Sequence, residues 1–373
     1  MKKSSFLFIL PALAIASCSS DETVNAPDTP GISFTTAVNG NSRATSTTTA
    51  TIRDFSVTAM SGELSNLVYF KDFVIKREGS QWIGNGKYMW PSEELKFCAY
   101  SPANAPLTTT QNRTNLTMGL KDFTVESDIS KQIDLLAAQN SMPNEWIRKN
   151  VGLIFDHTLS QIRFNAICSN PIMKVDVYGI KIGHINSKGN FYYPANDGTN
   201  MLYLNQKTAD QVWNNLTTPK DLIAELDAPV SIQGYEYSTT LNPSKITGTP
   251  LTEADNSFMI IPQHLKDFGA WTKGDNLDGA YLGVKCKIYL RKSDGDFSTL
   301  YWPKTGDADY ICIPFNINFD PAKTYNILLD LAGGGYTDPI NPPIRPIIEH
   351  EISYSVTVSD WTAQNGQIIT MDK

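Results

Sequence analysis

The chain is written in short runs that alternate apolar and polar residues. Ile32-Ser33-Phe34-Thr35-Thr36-Ala37-Val38 is the first, and Leu95-Lys96-Phe97-Cys98-Ala99-Tyr100 and Ile162-Arg163-Phe164-Asn165-Ala166-Ile167-Cys168 follow the same period. A period of two places alternate side chains on one face, which predicts half-buried β-strands. Further strands are predicted over 52–60, a pair of short ones within 66–77, a long stretch over 172–185, and 258–262, 281–290, 299–302, 310–319, 324–331, 352–358 and 367–371. Gln81-Trp82-Ile83 and Lys87-Tyr88-Met89-Trp90 flank Gly84-Asn85-Gly86, a hairpin signal. Residues 103–120 read as loop or edge, 132–138 as strand or short helix, 186–250 as hairpins with long loops, and Thr208 to Leu216 as a small helix.

Long helical periodicity is missing, and no strand–helix–strand rhythm appears. Many short strands separated by turn residues predict an all-β chain of sandwich type. The Met142-Pro143-Asn144 break suggests a boundary near residue 148, with units at 44–148 and 149–373.

Ahead of the first strand the pattern changes. Met1-Lys2-Lys3 is basic, Phe6 to Ala16 is apolar, and small residues precede Cys18. This is the layout of a secretory signal over residues 1–17. The apolar run is too short to cross a bilayer, which needs about 20 helical residues, and Pro11 interrupts it. Small residues directly before a cysteine resemble the lipobox of bacterial lipoproteins. That resemblance implies cleavage before Cys18, acylation of Cys18 and attachment to the outer membrane. The acidic Ser19-Ser20-Asp21-Glu22 that follows resembles a surface-export signal of some Gram-negative lipoproteins.

Composition excludes more than it selects. The chain has 373 residues, a net charge of −7 and 18% charged residues, so it carries no basic footprint for nucleic acid. Sixteen Tyr and sixteen Phe supply strand-favouring bulk. Cys98, Cys168, Cys286 and Cys312 lie far apart in apolar runs, without metal-ligand spacing. They read as buried thiols, with one disulfide left open by an oxidising compartment. No nucleophile elbow, phosphate loop, zinc-protease or dinucleotide motif occurs, so no catalytic residue, cofactor or metal site is assigned. His157 beside Asp156 reads as a structural hydrogen-bonding residue. Asp294-Gly295-Asp296 and Asp307-Ala308-Asp309 read as turns rather than calcium loops.

Several local patterns then combine in order. Trp90-Pro91 and the run 95–102 precede Asp134-Leu135-Leu136-Ala137-Ala138. Residues 151–164 follow, then 319–329, then Val356-Thr357-Val358-Ser359-Asp360-Trp361. With Cys18 in front and Ser42-Arg43-Ala44-Thr45 after the first strand, the chain resembles the fimbrillin family of lipoprotein pilins, the type V pilins. The resemblance spans nearly the whole chain. It implies two tandem transthyretin-like Greek-key β-sandwich domains and export as a lipoprotein. It also implies trimming between Arg43 and Ala44 by an arginine-specific protease, and polymerisation by strand exchange with other fimbrial subunits. A surface receptor on a host or bacterial cell is a further implied partner.

The residues themselves support such a route. Ile32, Phe34, Thr36 and Val38 share one face of a strand that lies between Cys18 and Arg43. Burying Ile32, Phe34 and Val38 contributes about 5–9 kcal/mol, at 1.5–3 each. Removing that strand would leave an apolar groove with unpaired backbone groups, and such an edge recruits another strand. Because each donor fills the next subunit's groove, the contact runs head to tail and grows a fibre. Donor candidates are Ile369 and Met371 on one face or Ile368 and Thr370 on the other. Ile352, Tyr354, Val356 and Val358 form a better alternating strand that also suits the chain's own sheet. A shaft, tip or anchor role, or a glycan-binding surface lipoprotein that never polymerises, are the competing expectations.

Overall fold

The computed structural model describes residues 31–39, 47–63, 67–142, 150–195, 201–235, 248–252, 256–265, 279–337, 347–348 and 352–361, with the backbone of 369–370. Cys18, Arg43, Ala44, Ile368 and Met371 lie outside the described residues.

Strands account for nearly all regular structure, as the period-two pattern requires. In chain order they are β1 (Phe34–Val38), β2 (Asp54–Met60), β3 (Val68–Glu78), β4 (Gln81–Gly84), β5 (Leu95–Ser101), β6 (Thr108–Asn112), β7 (Thr117–Thr124), β8 (Leu136–Met142), β9 (Val151–His157) and β10 (Ser160–Ile167). Then come β11 (Met173–Tyr192), β12 (Trp213–Gln233), β13 (Thr249–Pro250), β14 (Phe258–Ile260), β15 (Tyr281–Leu290), β16 (Thr299–Trp302), β17 (Asp309–Pro314), β18 (Lys323–Asp330), β19 (Ser353–Asp360) and β20 (Ile369–Thr370).

They form three sheets. The first has eight strands in the order β20-β1-β9-β8-β5-β2-β3-β4. The second has seven, along β16-β15-β11-β7-β6, with β12 on β11 and β17 on β15. The third has five, along β13-β10-β18-β19, with β14 on β10. Most pairs are antiparallel; β1 with β9 and β10 with β18 run parallel.

Two cores follow from the alternation. Leu95, Phe97 and Ala99 of β5 point into one core with Phe34, Phe55, Trp82, Leu153 and Phe155, all from the first sheet and its loops. Cys98 and Tyr100 point the other way, into a larger core with Met118, Leu120, Phe123 and the apolar residues of β10, β11, β15 and β18. β5 is therefore buried along its whole length. It lies between two apolar masses, so both of its faces are enclosed, Lys96 included.

Four expectations change here. Where two short strands were expected within 66–77, the single strand Val68–Glu78 runs through, because Asp72 takes a positive φ of 49° and absorbs a register shift against β2 without ending the pairing. The hairpin before residue 85 turns at Gly79-Ser80, with Gly79 at φ 62°, and β4 pairs with β3; residues 87–90 contribute only a bridge from Met89 to Gly31. The short helix stops at Val212, and Trp213 begins β12. Asn, Thr and Pro at 214–219 are poor helix formers, so the strand wins. Finally, β9 lies beyond the boundary expected near 148, yet it pairs with β8 through Leu136↔His157 and Ala137↔Asp156 and with β1. It completes the first sheet because its Val151, Leu153 and Phe155 face is needed to close the first core. Across the same boundary, β7 pairs with β11.

Candidate assembly site around the first strand

β1 is short, but its alternation is complete. Ile32, Phe34, Thr36 and Val38 point inward with 9%, 0%, 1% and 2% exposure, and the residues between them are half-buried. Phe34 meets Phe55 and Phe97 edge to face, with ring centroids 5.8 and 5.9 Å apart. This is the favoured geometry for aromatic pairs. Thr36 is the polar member of the face, and its Oγ1 accepts a hydrogen bond from Trp82 Nε1 at 3.0 Å. A buried hydroxyl needs such a partner, so the strand's one inward polar residue adds a contact rather than a penalty.

The backbone is held on the inner side by β9, in register from Phe34↔Val151 to Val38↔Phe155. Val151 N donates to Ser33 O at 2.8 Å and Asn39 N to Phe155 O at 2.7 Å, which closes both ends of the ladder. Ser33 Oγ also donates to Asn150 Oδ1. On the outer side the cover is thinner. Val38 N donates to Thr49 Oγ1 at 2.9 Å, and the C-terminal β20 pairs Ile369 with Thr36 and Thr370 with Thr35. β1 is thus one strand from the edge, shielded by a two-residue strand of the same chain.

A buried polar belt ties this strand to the rest of the molecule. Asn39 Nδ2 donates to Asp156 Oδ1 at 2.5 Å, and Leu204 N donates to Asp156 Oδ2 at 3.2 Å. Burial raises the Asp156 pKa above the usual carboxylate value, and those two donors oppose the rise. Next to it, Asp134 Oδ2 accepts from Thr47 N at 2.6 Å, and Asp134 Oδ1 lies 2.9 Å from His157 Nδ1. The His157 ring stacks on Trp361 at 3.8 Å and 4°. His157 is fully buried in this arrangement, as a packing and hydrogen-bonding residue.

The residues singled out in sequence divide as follows. Ile32, Phe34 and Val38 come together in the first core, and Ile369 lies across the backbone from Thr36. Ile352 is buried in the second core, and Tyr354 and Val356 of β19 pack against that core while pairing with β18. That strand serves its own sheet. Asp134 and Asp156 enter the sequence reading only as members of a motif and as the neighbour of His157, and Asn39 and Thr49 do not enter it. Asn39 and Asp156 each follow an apolar run, a position common in turns, and nothing local marks Thr49.

Among the described residues, no group of three or more His, Cys, Asp or Glu is placed to hold a metal ion. Asp294 Oδ1 accepts from Asp296 N at 3.0 Å, a local turn contact. No helix of the described residues is long and apolar enough to cross a membrane.

The profile of a family described as fimbrillin-like matches residues 35–361. No curated protein sequence matches the chain. Among solved structures, it is similar to a candidate cell adhesion protein from Parabacteroides distasonis, with 9% identity and a TM-score of 0.50 over 90% of this chain and 99% of that one. It is also similar to a fimbrilin from Porphyromonas gingivalis, with 14% identity and a TM-score of 0.39 over 90% and 99% of the two chains. The tip fimbrial protein Mfa3 of the same species, with a C-terminal truncation, gives 9% identity and a TM-score of 0.32 over 89% and 100%. A likeness at 9% identity and a TM-score of 0.50 speaks to fold alone, whereas the family profile spans β1 to the residue after β19, and on that ground the chain belongs to the fimbrillin-like family.

Proposed function

We propose that this protein is a structural subunit of a cell-surface fimbrium that serves adhesion. It is exported as a lipoprotein on Cys18, trimmed by an arginine-specific protease after Arg43, and polymerised by strand donation between subunits. The observation that carries this reading is the position of β1. It is an outlying strand with a fully buried face, and it lies in sequence between the lipid-bearing cysteine and the arginine.

The physics of release has two steps. A cut at Arg43 severs the covalent link, but β9 and the first core still hold β1 through the contacts above. A competing strand must then displace it. The vacated site presents the β9 edge and an apolar trough walled by Phe55, Trp82, Phe97 and Phe155. A strand from a neighbouring subunit that repeats the spacing of Ile32, Phe34, Thr36 and Val38 can refill it. The tail that contains Ile368, Ile369 and Met371 is the proposed donor. In the single chain Ile369 and Thr370 rest on β1 itself, so loss of β1 opens the groove and frees the tail together.

Arg43→Ala is the direct test. The expected product is a membrane-attached monomer that retains residues 18–43, while the native surface form begins at Ala44. Normal high-mass polymers from the variant would sink this reading.

A further inference from the structure

A separate feature lies on β5, away from β1. Lys96 is 5% exposed, and its Nζ is buried with no hydrogen-bond partner. Among the described residues it forms no ion pair. Its strand neighbours are Met60 on β2 and Ser141 on β8. Burial lowers its pKa from the usual lysine value, as expected for an ammonium without a counter-charge. A buried, unpartnered cation costs stability unless something supplies its partner.

Lys96 lines a cavity of about 280 Å³ that opens to solvent. Ser61 joins it among the buried lining residues, and Ser141 is half-buried. Glu63, Glu94 and Asn115 are exposed at the mouth, and Leu116 offers an apolar side. At roughly 30 Å³ per water, the space suits a molecule of monosaccharide or amino-acid size. The chemistry is graded from bottom to top. The floor offers the Lys96 side chain, whose unpartnered ammonium has under 1 Å² of accessible surface and meets an anion when the side chain turns into the cavity, and the exposed rim offers two carboxylates that repel a bare anion but accept from hydroxyl or ammonium donors.

We infer that this cavity is a binding site for a small organic carboxylate, seated on Lys96, whose opposite end carries hydrogen-bond donors that meet Glu63 and Glu94. Sugar acids and free amino acids share this chemistry. The inference stands independently of strand exchange, since no residue of β1 or of the tail lines the cavity.

The test uses the full chain purified in detergent, with its lysines isotopically labelled for NMR. D-glucuronate and L-alanine are titrated in turn, against neutral methyl glucoside. The expected result is a saturable shift of the Lys96 signal with one of the two carboxylates and none with the glucoside; which of them shifts it identifies the donor at the mouth. Lys96→Met removes a buried charge and keeps the volume, so it is expected to fold with an unchanged or raised Tm and to bind roughly tenfold more weakly or worse, as for loss of a charge-assisted bond. Glu94→Gln, at an exposed position, is expected to weaken binding without a change in Tm. Should neither carboxylate shift Lys96, should the glucoside shift it equally, or should Lys96→Met bind as well as the native chain, the site is overturned.

Discussion

Phe34 shows most directly what β1 contributes. It has no exposed surface and touches two rings of other strands. Phe34→Ala in the full chain should lower unfolding stability by about 3–5 kcal/mol, read by equilibrium urea denaturation. A loss under 1 kcal/mol, roughly the cost of a surface change, would mean that β1 is not seated in the core. The inward role of Ile32, Phe34, Thr36 and Val38 was readable from alternation alone, because strand geometry fixes which side chains share a face. The partners were not. Asn39 and Asp156 are 117 residues apart in sequence, and no local pattern reports that distance. Lys96 went further against its pattern. Alternation in β5 marks its two faces as apolar and polar, yet both are buried, so a lysine that reads as surface is enclosed.

At the scale of elements, the parallel pairing of β1 with β9 matters most. Sequence proposes strands but not neighbours, since pairing depends on which apolar faces a shared core can absorb. The tail adds a second element-level question. β20 touches β1 through only two residue pairs, so deleting residues 362–373 should leave the fold and its unfolding midpoint nearly unchanged. The proposed donor role requires the same deletion to abolish polymer formation by the trimmed subunit, measured by size-exclusion chromatography. Polymers of normal mass from the deleted chain would move the donor elsewhere. β3 carries the opposite lesson: where two short strands were expected, one strand runs through Asp72 at positive φ.

The whole molecule is held by apolar masses that ignore the order of the chain. β7 joins β11, β9 joins β1 and β8, and Tyr193 Oη donates to Ala99 O at 2.5 Å across the expected boundary. The cysteines fit the same interior logic. Cys98, Cys168, Cys286 and Cys312 are buried, and none is joined in a disulfide. Burial raises the thiol pKa of Cys98 to about 12 and of Cys168 to about 11, and pushes that of Cys286 up too. An aromatic disulfide reagent at pH 8 should therefore leave all four unmodified in the native protein and label all four in urea, and a reductant should not shift Tm. Rapid labelling of any of them before unfolding would contradict this.

Sequence by itself determined the strands, their inward faces, the all-β class and the family resemblance, because each is written in local periodicity or in short ordered motifs. Tertiary structure alone decided that β9 closes the first sheet, that the tail lies on β1, and that Lys96 faces a cavity without a partner. Those depend on which distant apolar surfaces meet to leave water, and that is settled by the whole chain at once.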